Sequence, residues 1–122
     1  MAKKILLVDD STSVRQVVGI ALRRAGYETV EAANGKEALA MLDAGKLNLI
    51  ISDVNMPVMN GIEFVKALKQ HPTSKFTPVV MLTTEGQEEK KEQGRAAGAK
   101  AWIVKPFSPA QLLDVVSKLI LP

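Results

Sequence analysis

Short aliphatic runs alternate along this chain with longer stretches in which apolar residues recur every three or four positions. The first run, Ile5-Leu6-Leu7-Val8, is continuous, as a strand buried on both faces should be. Ser11-Thr12-Ser13 follows, and any of the three can cap a helix. Val14, Val17, Val18, Ala21, Leu22 and Ala25 then make the stripe of an amphipathic helix, which Gly26 closes. The pattern predicts a second strand around 28–32. Asn34-Gly35 then leads a helix carrying Ala38, Leu39 and Leu42, stopped near Gly45. A third strand is expected over 47–52, and Asn60-Gly61 precedes a helix with Ile62, Val65 and Leu68 that ends before Pro72. Residues 79–82 and 101–104 read as the fourth and fifth strands. Ser108-Pro109 opens the last helix, with Leu112, Leu113, Val116, Leu119 and Ile120 along one face.

Between Gly86 and Arg95 there is no apolar residue, and Gly94 lies inside. A helix there must rest on alanines and on the methylene stems of Lys and Glu, so it is expected to be the least stable. Five β/α pairs with short connections predict an α/β fold: a parallel sheet with helices on both faces. Repeats, low-complexity tracts and linkers are absent, and residues 1–122 are expected to form a single domain.

Composition narrows the classes. With 47% apolar and 24% charged residues the chain is of ordinary globular type. No apolar stretch approaches the ~18 residues of a membrane span, and the apolar run after Met1-Ala2-Lys3-Lys4 is too short for a signal peptide. Without cysteine, disulfides and thiolate metal sites are excluded, and a cytoplasmic location is expected. The net charge of +3 is mild, with Lys and Arg alternating with Glu, so neither nucleic acid nor a membrane is an expected partner.

Three carboxylates, Asp9, Asp10 and Asp53, stand at the trailing ends of the first and third runs, and Thr83 and Lys105 follow the fourth and fifth in the same way. Singly, each has an ordinary reading: a helix cap, a solvated carboxylate or a turn residue. Jointly they are harder to assign to chance, because the carboxyl ends of parallel strands share the edge where ligand crevices form. Carboxylates crowded in one cleft repel one another unless something neutralises them. A hard dication with oxygen ligands does so, and Mg²⁺ fits best. A carboxylate attacking a dianionic phosphoryl group would need the dication on one side and the Lys105 ammonium on the other, with Thr83 bonding a phosphoryl oxygen.

The set Asp9-Asp10, Asp53 with Met56-Pro57 and Gly61 following, Thr83, and Lys105-Pro106-Phe107 closely resembles the receiver domain of two-component response regulators, and within it the single-domain, CheY-like chemotaxis members. The resemblance runs from Lys4 to Leu121. It implies a doubly wound, flavodoxin-like (CheY-like) five-stranded parallel sheet in the order 2-1-3-4-5 with five helices. It also implies Asp53 as the phosphoacceptor, fed by a histidine kinase. Mg²⁺ would be held by Asp10 directly, by Asp9 mainly through water, by Asp53 and by the backbone carbonyl of Asn55. Lys105 would pair with the phosphoryl group, Thr83 would be the switch hydroxyl, and Trp102 would occupy the aromatic switch position. Asn55 and Glu85 would modulate hydrolysis, Glu85 either by orienting water or by shielding the phosphoryl group. The Lys105-Pro106 bond is often cis in this family, although only about 5% of X-Pro bonds in folded proteins are.

The expected output is population shift of the surface made by helix four, strand five and helix five, read by another protein. Such a chain is not a classical enzyme, though it would catalyse its own phosphorylation and dephosphorylation. Expected partners are a chemotaxis-type histidine kinase and the flagellar motor switch, with a phosphatase as a further candidate and the chain itself a monomer without an output domain. The alternative is a stand-alone phosphorelay shuttle or phosphate sink. A haloacid dehalogenase-type phosphatase wants a second Asp where Ser11 stands, and a flavodoxin wants a glycine-bearing phosphate loop after strand one. Three residues are set aside: His71 as a solvated helix-end residue, and the pair Met56 and Met59 as cover for the site.

Overall fold

The computed structural model describes residues 2–43, 45–84 and 88–120. The elements run β1 (Lys4–Val8), α1 (Thr12–Arg24), β2 (Glu28–Ala32), α2 (Gly35–Met41), β3 (Leu49–Asp53), α3 (Gly61–Leu68), a 3₁₀ turn (Ser74–Phe76), β4 (Val79–Thr84), α4 (Glu88–Ala97), β5 (Ala101–Lys105) and α5 (Pro109–Leu119). All strand pairs are parallel, in the order β2-β1-β3-β4-β5, which is the expected doubly wound sheet.

The sheet is buried on both sides, and the pleat sorts its residues between two cores. Ile5, Leu7, Leu49, Ile51, Val80, Leu82 and Ile103 pack with Val18 and Leu22 of α1 and Leu112 and Val116 of α5. Leu6, Val8, Ile50, Val79 and Met81 pack with Ala38 of α2 and Phe64, Val65 and Leu68 of α3, with Ala97 of α4 and Trp102 against them. This double burial is why the strand runs are continuously aliphatic. Each such side chain contributes roughly 1.5–3 kcal/mol on leaving water.

The helix starts follow the local chemistry. Ser11 Oγ accepts from Val14 N at 3.2 Å, and Asn34 Oδ1 accepts from Glu37 N at 2.9 Å. Asn60 with Glu63, and Ser108 with Gln111, form reciprocal capping boxes at α3 and α5. Arg23 and Arg24 lie in the last turn of α1, where the helix dipole favours cations.

Some boundaries differ from the sequence reading. β3 begins at Leu49 rather than at 47, because Asn48 bridges to β1 with its own side chain. Its Oδ1 accepts from Lys4 N at 2.9 Å while its N–H donates to Lys4 O at 2.8 Å. β4 runs two residues past its aliphatic run, since Thr83 and Thr84 pair with Val104 and Lys105 of β5. Thr83 therefore ends inside the strand, not after it. The Lys105-Pro106 peptide is cis.

His71 departs from its expected role as a solvated residue. Its side chain is 16% exposed, its Nε2 faces Asp43 Oδ1 at 2.9 Å, and its Nδ1 accepts from the N–H of Ser74 at 3.0 Å. The N–H and hydroxyl of Thr73 also converge on Nδ1. The tautomer protonated on Nε2 satisfies both sides, so His71 staples the α3–β4 connection to the end of α2.

Candidate functional site

Register places the charged residues. Val8 pairs with Ser52, so Asp9 and Asp53 lie side by side one residue beyond. The ladder persists past both, with Asp9 N donating to Ala32 O at 3.1 Å and Val54 N to Leu82 O at 3.2 Å. Lys105, on the far strand, reaches back across the edge: its Nζ lies 3.2 Å from Asp9 Oδ2 and 3.3 Å from Asp53 Oδ1. Asp9 is further fixed by Ser11 N, which donates to its Oδ1 at 2.9 Å, and by Arg15, whose guanidinium bonds its carbonyl.

The pleat assigns these side chains to faces. Asp9, Asp53 and Lys105 share the alternation of Leu7, Ile51 and Ile103, on the α1/α5 side. Thr83 shares that of Met81, on the opposite side, where Trp102 also packs. Met81 is the register partner of Trp102, so Thr83 and Trp102 are diagonal neighbours on one face.

The electrostatics are those of a crowded cleft. Asp9 and Asp53 are buried, and Asp10 is exposed. Burial first, and then the charge of Asp9, raise the Asp53 carboxyl above its ordinary value, against the opposing pull of Lys105. For Lys105 burial alone would favour the neutral amine, but the Asp53 and Asp9 carboxylates outweigh it and hold the ammonium above its usual range. One oxygen from each of Asp9, Asp10 and Asp53 lies within 4.8 Å of the others. An all-oxygen donor set of this spacing, two of its members desolvated, suits a hard divalent cation such as Mg²⁺.

Around the site, Gly61 allows an approach that no other residue could. A Cβ there would press on the carbonyl oxygen of Asp53 and lie 2.8 Å from Met81 Cε and 3.0 Å from Val54 Cα. Gly61 N donates to Val54 O at 2.9 Å and so closes the β3–α3 loop over the end of β3. Met56 and Met59 in that loop pack against the core, as cover. Asn55 is exposed at its start, and Glu85 lies outside the described residues.

The residues expected at the site are thus brought together for Asp9, Asp10, Asp53 and Lys105, with Thr83 one register step along. Sequence reasoning missed Arg15 and Val58. Arg15 projects from the first turns of α1 and is 3.0 Å from Glu31 Oε1, a pairing with no sequence period to announce it. Val58 has φ 70° and is 75% exposed. A valine between Pro57 and Met59 gave no turn signal, because glycine or asparagine is the usual sign of a positive φ.

Known proteins match this arrangement. The family model of the response regulator receiver domain covers residues 5–117. The chemotaxis response regulator CheY4 of Vibrio cholerae is 52% identical in sequence with a TM-score of 0.92, over 98% of this chain and 99% of that one. A response regulator structure from Chloroflexus aurantiacus gives a TM-score of 0.93 at 36% identity, over 98% of each chain. The phosphate regulon transcriptional regulatory protein PhoB of Pseudomonas aeruginosa is 41% identical over 93% of this chain and 49% of its own length. The transcriptional regulatory protein SrrA of Staphylococcus aureus is 37% identical over 98% of this chain and 48% of its own length. The chain spans about half the length of the curated relatives it matches.

Proposed function

The chain belongs to the response regulator receiver domain family, and we propose that it is the phosphoacceptor switch of a two-component pathway, with Asp53 taking a phosphoryl group from a kinase phosphohistidine. The observation that carries this reading is the Lys105 ammonium held within 3.3 Å of both Asp9 and Asp53 at the carboxyl edge of the sheet. In the transfer, the donor's P–N bond breaks as a P–O bond to Asp53 forms, and the imidazole leaves with a proton from solvent. Asp53 must attack as the carboxylate. The Lys105 ammonium keeps that form accessible despite burial, then turns to the new phosphoryl oxygens.

Asp10, Asp53 and the Asn55 carbonyl would hold Mg²⁺ directly, with Asp9 acting mainly through water. The bound ion would supply charge neutralisation at the phosphoryl oxygens. Thr83 would donate its hydroxyl to a phosphoryl oxygen, and its movement on the α4 side would be read by Trp102 and by the surface of α4, β5 and α5. Asn55 and Glu85 would set how quickly water reaches the acyl phosphate.

Motor control in chemotaxis, with a chemotaxis-type kinase upstream, is the output we favour, supported by the 52% identity to a chemotaxis regulator over nearly all of both chains. The matches to PhoB and SrrA, both transcriptional regulatory proteins, support a second reading, a receiver serving an output other than the motor; a stand-alone relay or phosphate sink is the further alternative. No helix among the described residues is long and apolar enough to cross a membrane, and we place the reaction in the cytoplasm.

The test uses Trp102, the only tryptophan. Fluorescence is followed on adding Mg²⁺ and then acetyl phosphate, with intact mass in parallel and Asp53→Ala as control. A metal-dependent change followed by a donor-dependent one, lost in the variant, supports the site. No signal and no gain of a phosphoryl mass refutes it. The decay rate after donor removal separates a fast switch from a slow relay.

A further inference from the structure

The β3–α3 loop holds a conflict that the acceptor chemistry does not use. Met59 N donates to Pro57 O at 2.8 Å across a single residue, Val58, whose φ is 70°. That is the rarer, strained form of γ-turn, built on a β-branched residue that glycine would replace without strain. Among the described residues the isopropyl group finds little packing to offset this. It is 75% exposed, and while its neighbours Met56 and Met59 pack against the core, Val58 belongs to neither core cluster. The tip is also held still. Gly61 N bonds Val54 O at 2.9 Å and Gly35 N bonds Met59 O at 3.2 Å, so an apolar knob stands at a fixed place five residues beyond Asp53.

Resting on the assignment of Asp53 as phosphoacceptor, we propose that Val58 is a docking residue for the protein domain that carries the phosphohistidine, and that an apolar side chain beside that histidine covers it. The occupant follows from continuity with the acceptor mouth. The Asp53 side chain is only 10% exposed, so the donor imidazole must come down into the cleft, and its carrier must meet the loop that leaves β3 at Asp53 and carries Val58. The loop tip offers Met56, Pro57, Val58 and Met59 with no charge among them, so the matching surface is apolar. A side chain already held in position loses little freedom on binding.

The experiment compares two donors on wild type, Val58→Gly, Val58→Asn and Val58→Ile. Phosphoramidate needs no docking surface. The phosphorylated histidine-bearing domain of a chemotaxis-type kinase does. Covering one valine corresponds to roughly tenfold in affinity. Gly and Asn, which both accept a positive φ, should raise KM for the protein donor about tenfold while the maximal rate and the phosphoramidate rate stay within about twofold. Ile should keep the wild-type KM. An unchanged KM in Gly and Asn overturns the proposal, as does a parallel fall in both donor rates, which would make Val58 part of the site's shape. A wild type that accepts from phosphoramidate but not from the kinase domain also overturns it, leaving the acceptor site standing. Phosphorylation by neither donor overturns the acceptor reading itself.

Discussion

Replacing Gly61 by alanine tests the closest packing in the site. The added Cβ would press on the Asp53 carbonyl oxygen and sit 2.8 Å from Met81 Cε, where ordinary contact begins at 3.4 Å. The thioether can swing aside, but the Asp53 carbonyl lies at the end of a ladder whose next N–H, that of Val54, is bonded to Leu82. The start of α3 must therefore lift from β3 by roughly 1 Å, at an overpacking cost of about 1–3 kcal/mol. The Gly61–Val54 hydrogen bond lengthens with it, costing about 1 kcal/mol more. A loss of about 2–4 kcal/mol leaves most domains folded. With urea slopes of about 1–3 kcal/mol/M, the unfolding midpoint followed through Trp102 should fall by about 1–2 M at constant slope. The same displacement moves the Asp53 carboxylate, and misplacing a reacting group by ~1 Å can cost ~100-fold in rate. A Gly61→Ala variant with a midpoint within about 0.3 M of wild type and a phosphoramidate rate within about twofold would refute this account of the loop.

Three further outcomes follow from the same geometry. Without divalent cations, Asp53→Asn should be more resistant to urea than wild type at pH 7. The Asp53 pKa is raised on folding, so its contribution is fully favourable below the unfolded value of 3.8 and diminishes as pH rises through the folded one. The variant's advantage should fade towards pH 4, and an advantage independent of pH would refute the cause. Mg²⁺ at ~100 times its dissociation constant should stabilise wild type by about 2.7 kcal/mol in thermal unfolding; Asp10→Asn should weaken this at equal Mg²⁺, and an equal shift in both would remove Asp10 from the donor set. His71→Ala should cost about 1–3 kcal/mol in urea unfolding, because the N–H of buried Ser74 loses its acceptor; a change below about 0.5 kcal/mol would make the staple incidental.

The layered fold was legible because burial on both faces writes itself as unbroken aliphatic runs, and helices write theirs as spaced stripes and caps such as Asn60 and Ser108. The gathering of Asp9, Asp10, Asp53 and Lys105 was legible because parallel strands end at one edge. What escaped detection depends on pairing across the chain. β4 continues through Thr83 and Thr84 because β5 lies alongside, not because threonines follow the aliphatic run. His71 looks like a solvated helix end until Asp43, 28 residues away, comes up beside it. Val58 defeats local rules altogether, since its turn type belongs to other residues.

The two-sided sheet has a consequence for what each helix can learn. Lys105, Asp53 and Asp9 lie in the alternation that faces α1 and α5, whereas Thr83 belongs with Met81 and Trp102 to the side that α4 occupies. The pleat works as a partition between these two sets of side chains. On the proposed reading, charge rearranged within the cluster would reach the other face of the sheet through the Thr83 hydroxyl. On that same reading, filling Asp53 and announcing that it is filled would be separate properties of the same edge, so altering Thr83 and the residues it meets would retune the message without disturbing the chemistry that writes it.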